Sequence, residues 1–249
     1  MVDVQLVRRL ALKAGALIRE NYDVPLNVDE KTSYADLVTE IDKNVEVLLK
    51  TEILSLYPSH KFPFVCVSIG YYVHRPQISV VYNPILNCLY HAEKGCGAFR
   101  NDSPIHVSPV KDLSEALVLT DWGGDRNPQS LDTKALNMRQ IIARARGFQS
   151  QIHEDHSRVS ASYSVRTMGS AALHICQVAA GSGDAFYEFG IHCWDYAAAL
   201  LIVLEAGGYC CNYDGSAVDL MARNVVCAGT PELAQSLVKL IQPVDYPRD

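Results

Sequence analysis

Apolar side chains recur at Leu6, Leu10, Ala14, Leu17 and Ile18, a spacing that predicts a helix over residues 4–21. A polar link, NYDVPLNVDEKTSYAD, follows with Pro25 inside it. Leu37, Ile41, Val45, Leu48, Leu49 and Ile53 then mark the apolar side of a second helix, from about Asp36 to Leu56, with Asp36 as its N-cap. Beyond it the period changes. PFVCVSIGYYV, QISVVYNP, CLYHAEK and GAFR read as strands, with Asn101-Asp102 as a turn, and EALVLT reads as another strand. Residues 121–164 are polar, with a helical patch around Ala135 to Ala145 and a tail, QSQIHEDHSRVSAS, expected as an exposed loop. A helix over 169–180, a strand DAFYEF and a helix over 194–206 follow, the last stopped by Gly207-Gly208. Short strands GYCCN and NVVCAG come next. The final helix opens at Thr230-Pro231-Glu232, where proline suits the first turn and glutamate the positive helix end. Helices, then a sheet, then alternation predict a layered α/β (α+β) chain forming one domain over residues 1–249.

Composition narrows the partners. The 249 residues are 49% hydrophobic and 20% charged, enough for a core, and the net charge is −6 without a basic run, which gives nucleic-acid binding little support. No apolar stretch is long enough to span a bilayer, so no membrane role is expected, and the N-terminus is not signal-like. The eight cysteines form no CxxC pair. Buried free thiols in a reducing, cytoplasmic setting are expected, not a disulfide framework or a zinc site.

Asp195 heads the buried run HCWDYAAALLIVLEAGG. A carboxylate there either answers the helix dipole or, at the edge of a dry core, ligates a hard cation such as Mg²⁺. Spacing alone leaves both readings open, although Glu188 stands seven residues earlier in YEFGIHCWD. Asp36, Thr39 and Asp42 fall at three-residue steps near one side of the second helix. Capping accounts for Asp36, whereas Asp42 is expected beyond the first turn, where neither capping nor the dipole explains it. Gly169-Ser170-Ala171 opens a helix whose free N–H groups can meet an anion or a polyol, but small residues also serve close packing. His153 and His156 read as surface histidines, and Tyr187, Phe189 and Trp194 as core. Cys193 lies beside Asp195 with nothing to mark it as an activated nucleophile.

Together, DLVTEIDKNVE at 36–46, PFVCVSIGYYV at 63–73, EKGCGAFRN at 93–101, VRTMGSAAL at 165–173 and GDAFYEFGIHCWDYAAALLIVLEAGG at 183–208 resemble the inositol monophosphatase family of magnesium-dependent, lithium-sensitive phosphatases. The resemblance implies an α-β-α-β-α sandwich, usually a homodimer, that hydrolyses inositol monophosphate with Mg²⁺. It implies that Asp195 is a metal ligand that also touches the inositol ring, and that Glu188 accepts a hydrogen bond from a ring hydroxyl. Gly169, Ser170 and Ala171 would line the inositol pocket, Asp42 would take a catalytic place in the water or metal network, and Lys31 matches a lysine near the metals.

The chain departs from that family in one respect. Family members carry GEE and then DPIDGT between the second helix and the PFV strand, and neither motif occurs in this sequence, where YPSHKF at 57–62 runs straight into PFVCVSIG. A segment between residues 62 and 63 is thus expected to be missing, with part of the first sheet, while the polar tail at about 146–162 is longer than the family expects. Two-metal hydrolysis needs converging carboxylates to hold two cations about 3.5–4 Å apart, and in the family the absent motifs supply most of them. The resemblance therefore implies an inositol-1-phosphate phosphatase lineage and a chain of impaired or lost activity, the alternative being a non-catalytic isoform that acts as a dimer partner or is a non-functional splice product.

Overall fold

The computed structural model describes residues 3–21, 28–30, 37–56, 68–73, 75–144 and 165–249. Helix α1 (Val4–Glu20) begins where the Asp3 side chain accepts the N–H of Gln5 at 3.0 Å. Strands β1 (Val28–Glu30) and β2 (Leu37–Thr39) pair antiparallel as a small ribbon, and α2 (Glu40–Leu56) follows directly. The second helix thus starts four residues later than the apolar spacing predicts. Leu37, Val38 and Thr39 are consumed by the ribbon, which suits their partly β-branched character. This shift places Asp42 in the first turn of α2, not beyond it. Asp36 and Lys31 lie outside the described residues, as do the join between Phe62 and Pro63 and the polar tail at 146–162.

Among the described residues, the first sheet has five strands: β3 (Ser68–Val73), β4 (Arg75–Asn83), β5 (Cys88–Glu93), β6 (Ala98–Arg100) and β7 (Ser103–Ile105), each antiparallel to the next. Asn101 and Asp102 turn between β6 and β7 with φ of 46° and 65°, the left-handed pair that a two-residue hairpin requires. The second sheet contains β8 (Val118–Thr120), β9 (Val165–Arg166), β10 (Ala185–Phe189), β11 (Tyr209–Cys211) and β12 (Asn224–Ala228), in the order β11-β12-β10-β8-β9. Here β10 and β9 run parallel to β8, while β12 is antiparallel to both β10 and β11. The remaining α-helices among the described residues are α3 (Pro128–Ile142), α4 (Ala171–Ala179), α5 (Cys193–Glu205) and α6 (Pro231–Val238). Helix α3 begins well before the expected patch because Asn127 caps it ahead of Pro128, accepting the N–H of Gln129 at 2.9 Å.

Alternation along β4 sets the layers. Val80 faces Val7, Leu10, Val45 and Leu49 of α1 and α2, whereas Val81 faces the opposite way, into a core with Ile175 of α4 and Ala199, Ile202 and Val203 of α5. That central core reaches Phe186 and Cys227 of the second sheet. The far face of the second sheet packs Val118, Tyr187 and Val226 against Leu233 and Leu237 of α6. The order is therefore helices, sheet, helices, sheet, helices, with Ile141 of α3 joining α6 on the outer face, as the α-β-α-β-α expectation required. Helix α5 is apolar nearly all round because both of its flanks are sheets.

Candidate functional site

Parallel pairing of β8 with β10 sets Val118, Leu119 and Thr120 beside Ala185, Phe186 and Tyr187. Carried one residue further, this register brings Asp121 level with Glu188. Both chains leave the sheet on the same side, where α4 and α5 begin. Strand direction alone therefore gathers Asp121, Glu188, the start of α4 and the start of α5 at one edge of the second sheet.

Each start is closed by a carboxylate. Asp195, in the first turn of α5, accepts the N–H of His192 through Oδ2 at 2.8 Å, half of a capping box. Asp121 accepts the N–H of Gly169 through Oδ2 at 2.5 Å. Gly169 has φ of +79° and no atom within 4 Å of where a Cβ would stand, so the chain turns tightly into α4 with open space beside it. Ser170 caps α4 through its hydroxyl, which accepts the N–H of Leu173 at 3.4 Å, and Ala171 is the first helical residue.

Glu188 is the buried member, 4% exposed, and its Oε2 has no hydrogen-bond partner among the described residues. Burial first, then the nearby charges of Asp121 and Asp195, push its carboxyl up to about 8, against the opposing pull of Lys134. Lys134 of α3 is 5% exposed, its Nζ donating to the Trp122 carbonyl at 2.8 Å and lying over the Tyr246 ring, 5.5 Å from the centroid. Both its ammonium and Glu188 Oε1 approach Gly123, at 3.5 and 3.6 Å from that residue's Cβ direction. Burial lowers the Lys134 pKa while the charge of Glu188 raises it. His174 is fully buried on α4 and stacked on Phe186 at 5.3 Å, and burial lowers its pKa.

A C-terminal segment closes the rim. Tyr246 donates to Asp125 Oδ2 at 2.8 Å and packs against Gly190, with the Arg223 guanidinium 5.1 Å from its ring centroid. Asp249 lies 2.6 Å from His192 Nδ1 and accepts the N–H of Cys193 at 3.3 Å. Arg223 carries no acceptor, so its 3.1 Å contact makes His192 Nε2 the acceptor and leaves Nδ1–H to donate to Asp249. Trp194 stacks on His192 at 4.3 Å and is only half-buried, a correction to its expected place in the core. Tyr187 and Phe189 are buried as expected.

Of the residues singled out in the sequence, Gly169, Ser170, Ala171, Glu188 and Asp195 stand around this edge. Asp42 lies in the first turn of α2, with its side chain outside the described residues, as are His153 and His156. Asp121 and Lys134 were missed. Asp121 could have been found as the residue just past a strand of a parallel pair, and Lys134 as a lysine sharing a helix stripe with the buried Asn137 and Ile141. Among the described residues, no group of three or more His, Cys, Asp or Glu side chains is placed to hold a metal ion.

The inositol monophosphatase family model matches residues 3–63 and 60–246. Inositol monophosphatase 2 of Rattus norvegicus is 36% identical over 278 aligned positions, covering 97% of this chain and 90% of the relative. That alignment is longer than the chain, so some of its positions have no residue here. Inositol monophosphatase 1 of Sus scrofa is 35% identical, covering 96% of this chain and 94% of the relative. Among solved structures, the extragenic suppressor protein suhB of Bartonella henselae superimposes with a TM-score of 0.78 at 26% identity, covering 95% of this chain and 97% of that one. The Thermotoga maritima IMPase gives a TM-score of 0.78 at 25% identity, with 95% of each chain covered. This chain belongs to the inositol monophosphatase family.

Proposed function

We propose that the chain keeps the polyol-facing side of an inositol monophosphate pocket and is impaired in Mg²⁺-dependent hydrolysis. The observation that carries this reading is the company of Glu188: a buried carboxyl facing two other carboxylates and one internal ammonium. Held protonated near neutral pH, it donates to one ring hydroxyl and accepts from another, as a polyol requires. Gly169, Ser170 and Ala171 carry no bulk at the start of α4, so a ring can approach the backbone there. Asp195 stands at the same edge, its Oδ2 holding the first turn of α5.

Bound Mg²⁺ would supply Lewis-acid stabilisation and an activated water. The described side chains do not fit a pair of such ions. Mg²⁺ demands near-octahedral oxygen ligands, and two ions need several shared carboxylates. Asp195 and Asp121 each commit an oxygen to a backbone N–H, and the GEE and DPIDGT motifs are absent from the sequence. Asp42, in the first turn of α2, would take the place in the water or metal network that the family resemblance gives it.

Phosphate release from inositol 1-phosphate across a Mg²⁺ titration tests this, with the Rattus norvegicus inositol monophosphatase 2 as control. The expected result is turnover far below the control with no saturating dependence on Mg²⁺. Turnover matching the control would overturn the reading.

A further inference from the structure

We propose that Cys210 and Cys227 form a modification site, a thiol pair that a small-molecule disulfide oxidises to a cross-strand disulfide. The two residues face each other in the antiparallel register of β11 and β12, with their sulfurs 3.3 Å apart. Directly opposed residues in such a pair have Cα atoms about 4.5–5.5 Å apart, inside the roughly 4.4–6.8 Å range that a disulfide spans. The sulfur separation exceeds a covalent bond of about 2.05 Å, so both are thiols here, as are all seven described cysteines. A small χ1 rotation on each side closes the gap.

Cys211, next in sequence, does not compete. Its side chain points to the opposite face of the sheet, into the layer with Val226 and Leu233, whereas Cys210 and Cys227 share the central core facing α5. β11 is the edge strand and Cys210 is half-buried, while Cys227 has no exposed surface. Exposure therefore orders the steps. The Cys210 thiolate attacks the external disulfide, forming a mixed disulfide and releasing one small thiol. The Cys227 sulfur, losing its proton, then attacks the Cys210 sulfur and expels the second small thiol. Two protein thiols become one S–S bond, and two electrons and two protons end on the reagent, reduced to two thiols. Burial pushes the Cys227 thiol up and its neighbour Cys210 reinforces this, so the second step quickens as pH rises. The bond would tie the edge strand to β12 beneath α5, the helix that carries Asp195.

The test is incubation of the full chain with oxidised glutathione, alkylation under denaturing conditions, and a non-reducing peptide map with fragmentation. The expected product is a bond between Cys210 and Cys227 without a glutathione adduct on either, and a higher thermal midpoint than the reduced protein. In Cys227→Ser the mixed disulfide should stay trapped on Cys210, and in Cys210→Ser residue 227 should remain a free thiol with no rise in midpoint. The wild-type map decides even if a variant fails to fold. Cys210 and Cys227 both recovered alkylated while the exposed Cys96 has reacted, a stable adduct on wild-type Cys210, or a bond to Cys211 would each overturn the proposal.

Discussion

The Asp195 carboxylate accepts the backbone N–H of His192 at 2.8 Å, so the family's expected metal ligand is also the residue that closes the first turn of α5. The two roles separate by substitution. Asp195→Asn keeps an acceptor oxygen and should alter folding stability by only a few tenths of a kcal/mol, whereas Asp195→Ala should cost about 1 kcal/mol. Urea unfolding midpoints of the two variants check this. Equal loss in both would show that the charge, not the cap, holds the turn.

Glu188 gives the protein a particular pH dependence. Its ordinary value is 4.5 and its folded value about 8, so between these limits the folded chain holds a proton that the unfolded chain has released. The associated stability is complete below 4.5 and is lost as pH rises to 8, with a slope of up to about 1.4 kcal/mol per pH unit from this group. Glu188→Gln should flatten the fall in urea midpoint across that window. An unchanged slope would show that Glu188 does not keep its proton in the fold.

Lys134 is a buried ammonium beside Glu188, Asp125 and Asp121. Lys134→Met preserves the apolar stem and removes both the ammonium's hydrogen bond to the Trp122 carbonyl and the positive charge that opposes the rise at Glu188. A loss of about 2 kcal/mol is expected from the broken charged hydrogen bond, together with a further rise in the Glu188 titration followed by carboxyl NMR. A neutral or stabilising effect would mean the ammonium adds nothing net to the fold.

Tyr246→Phe isolates one tie at the rim. The ring that packs on Gly190 stays, and only the hydrogen bond to Asp125 is removed. Chemical denaturation should register a loss of about 1 kcal/mol. No loss would mean that packing, not the hydroxyl, keeps the C-terminal segment in place.

Much of this arrangement was legible in the chain. The apolar spacing marked α1 and α5, Gly207-Gly208 marked the end of α5, and Asn101-Asp102 marked a hairpin turn, because each rests on local periodicity or backbone conformation. The start of α2 was misjudged because Leu37 to Thr39 satisfy a helical stripe and a short strand equally well, and only pairing with Val28–Glu30 decides between them. Glu188 and Asp195 were readable because they share one compact motif. Asp121 and Lys134 were not, since their meeting with Glu188 depends on the parallel β8–β10 register and on where α3 packs. Trp194 misled for the opposite reason: its apolar surface is spent on stacking with His192, not on the core.

The most direct test of the incomplete metal centre is a crystal soaked in Mn²⁺ and measured for anomalous scattering. The account predicts no pair of fully occupied peaks ligated by protein beside Asp195. Two such peaks about 3.5–4 Å apart would contradict it.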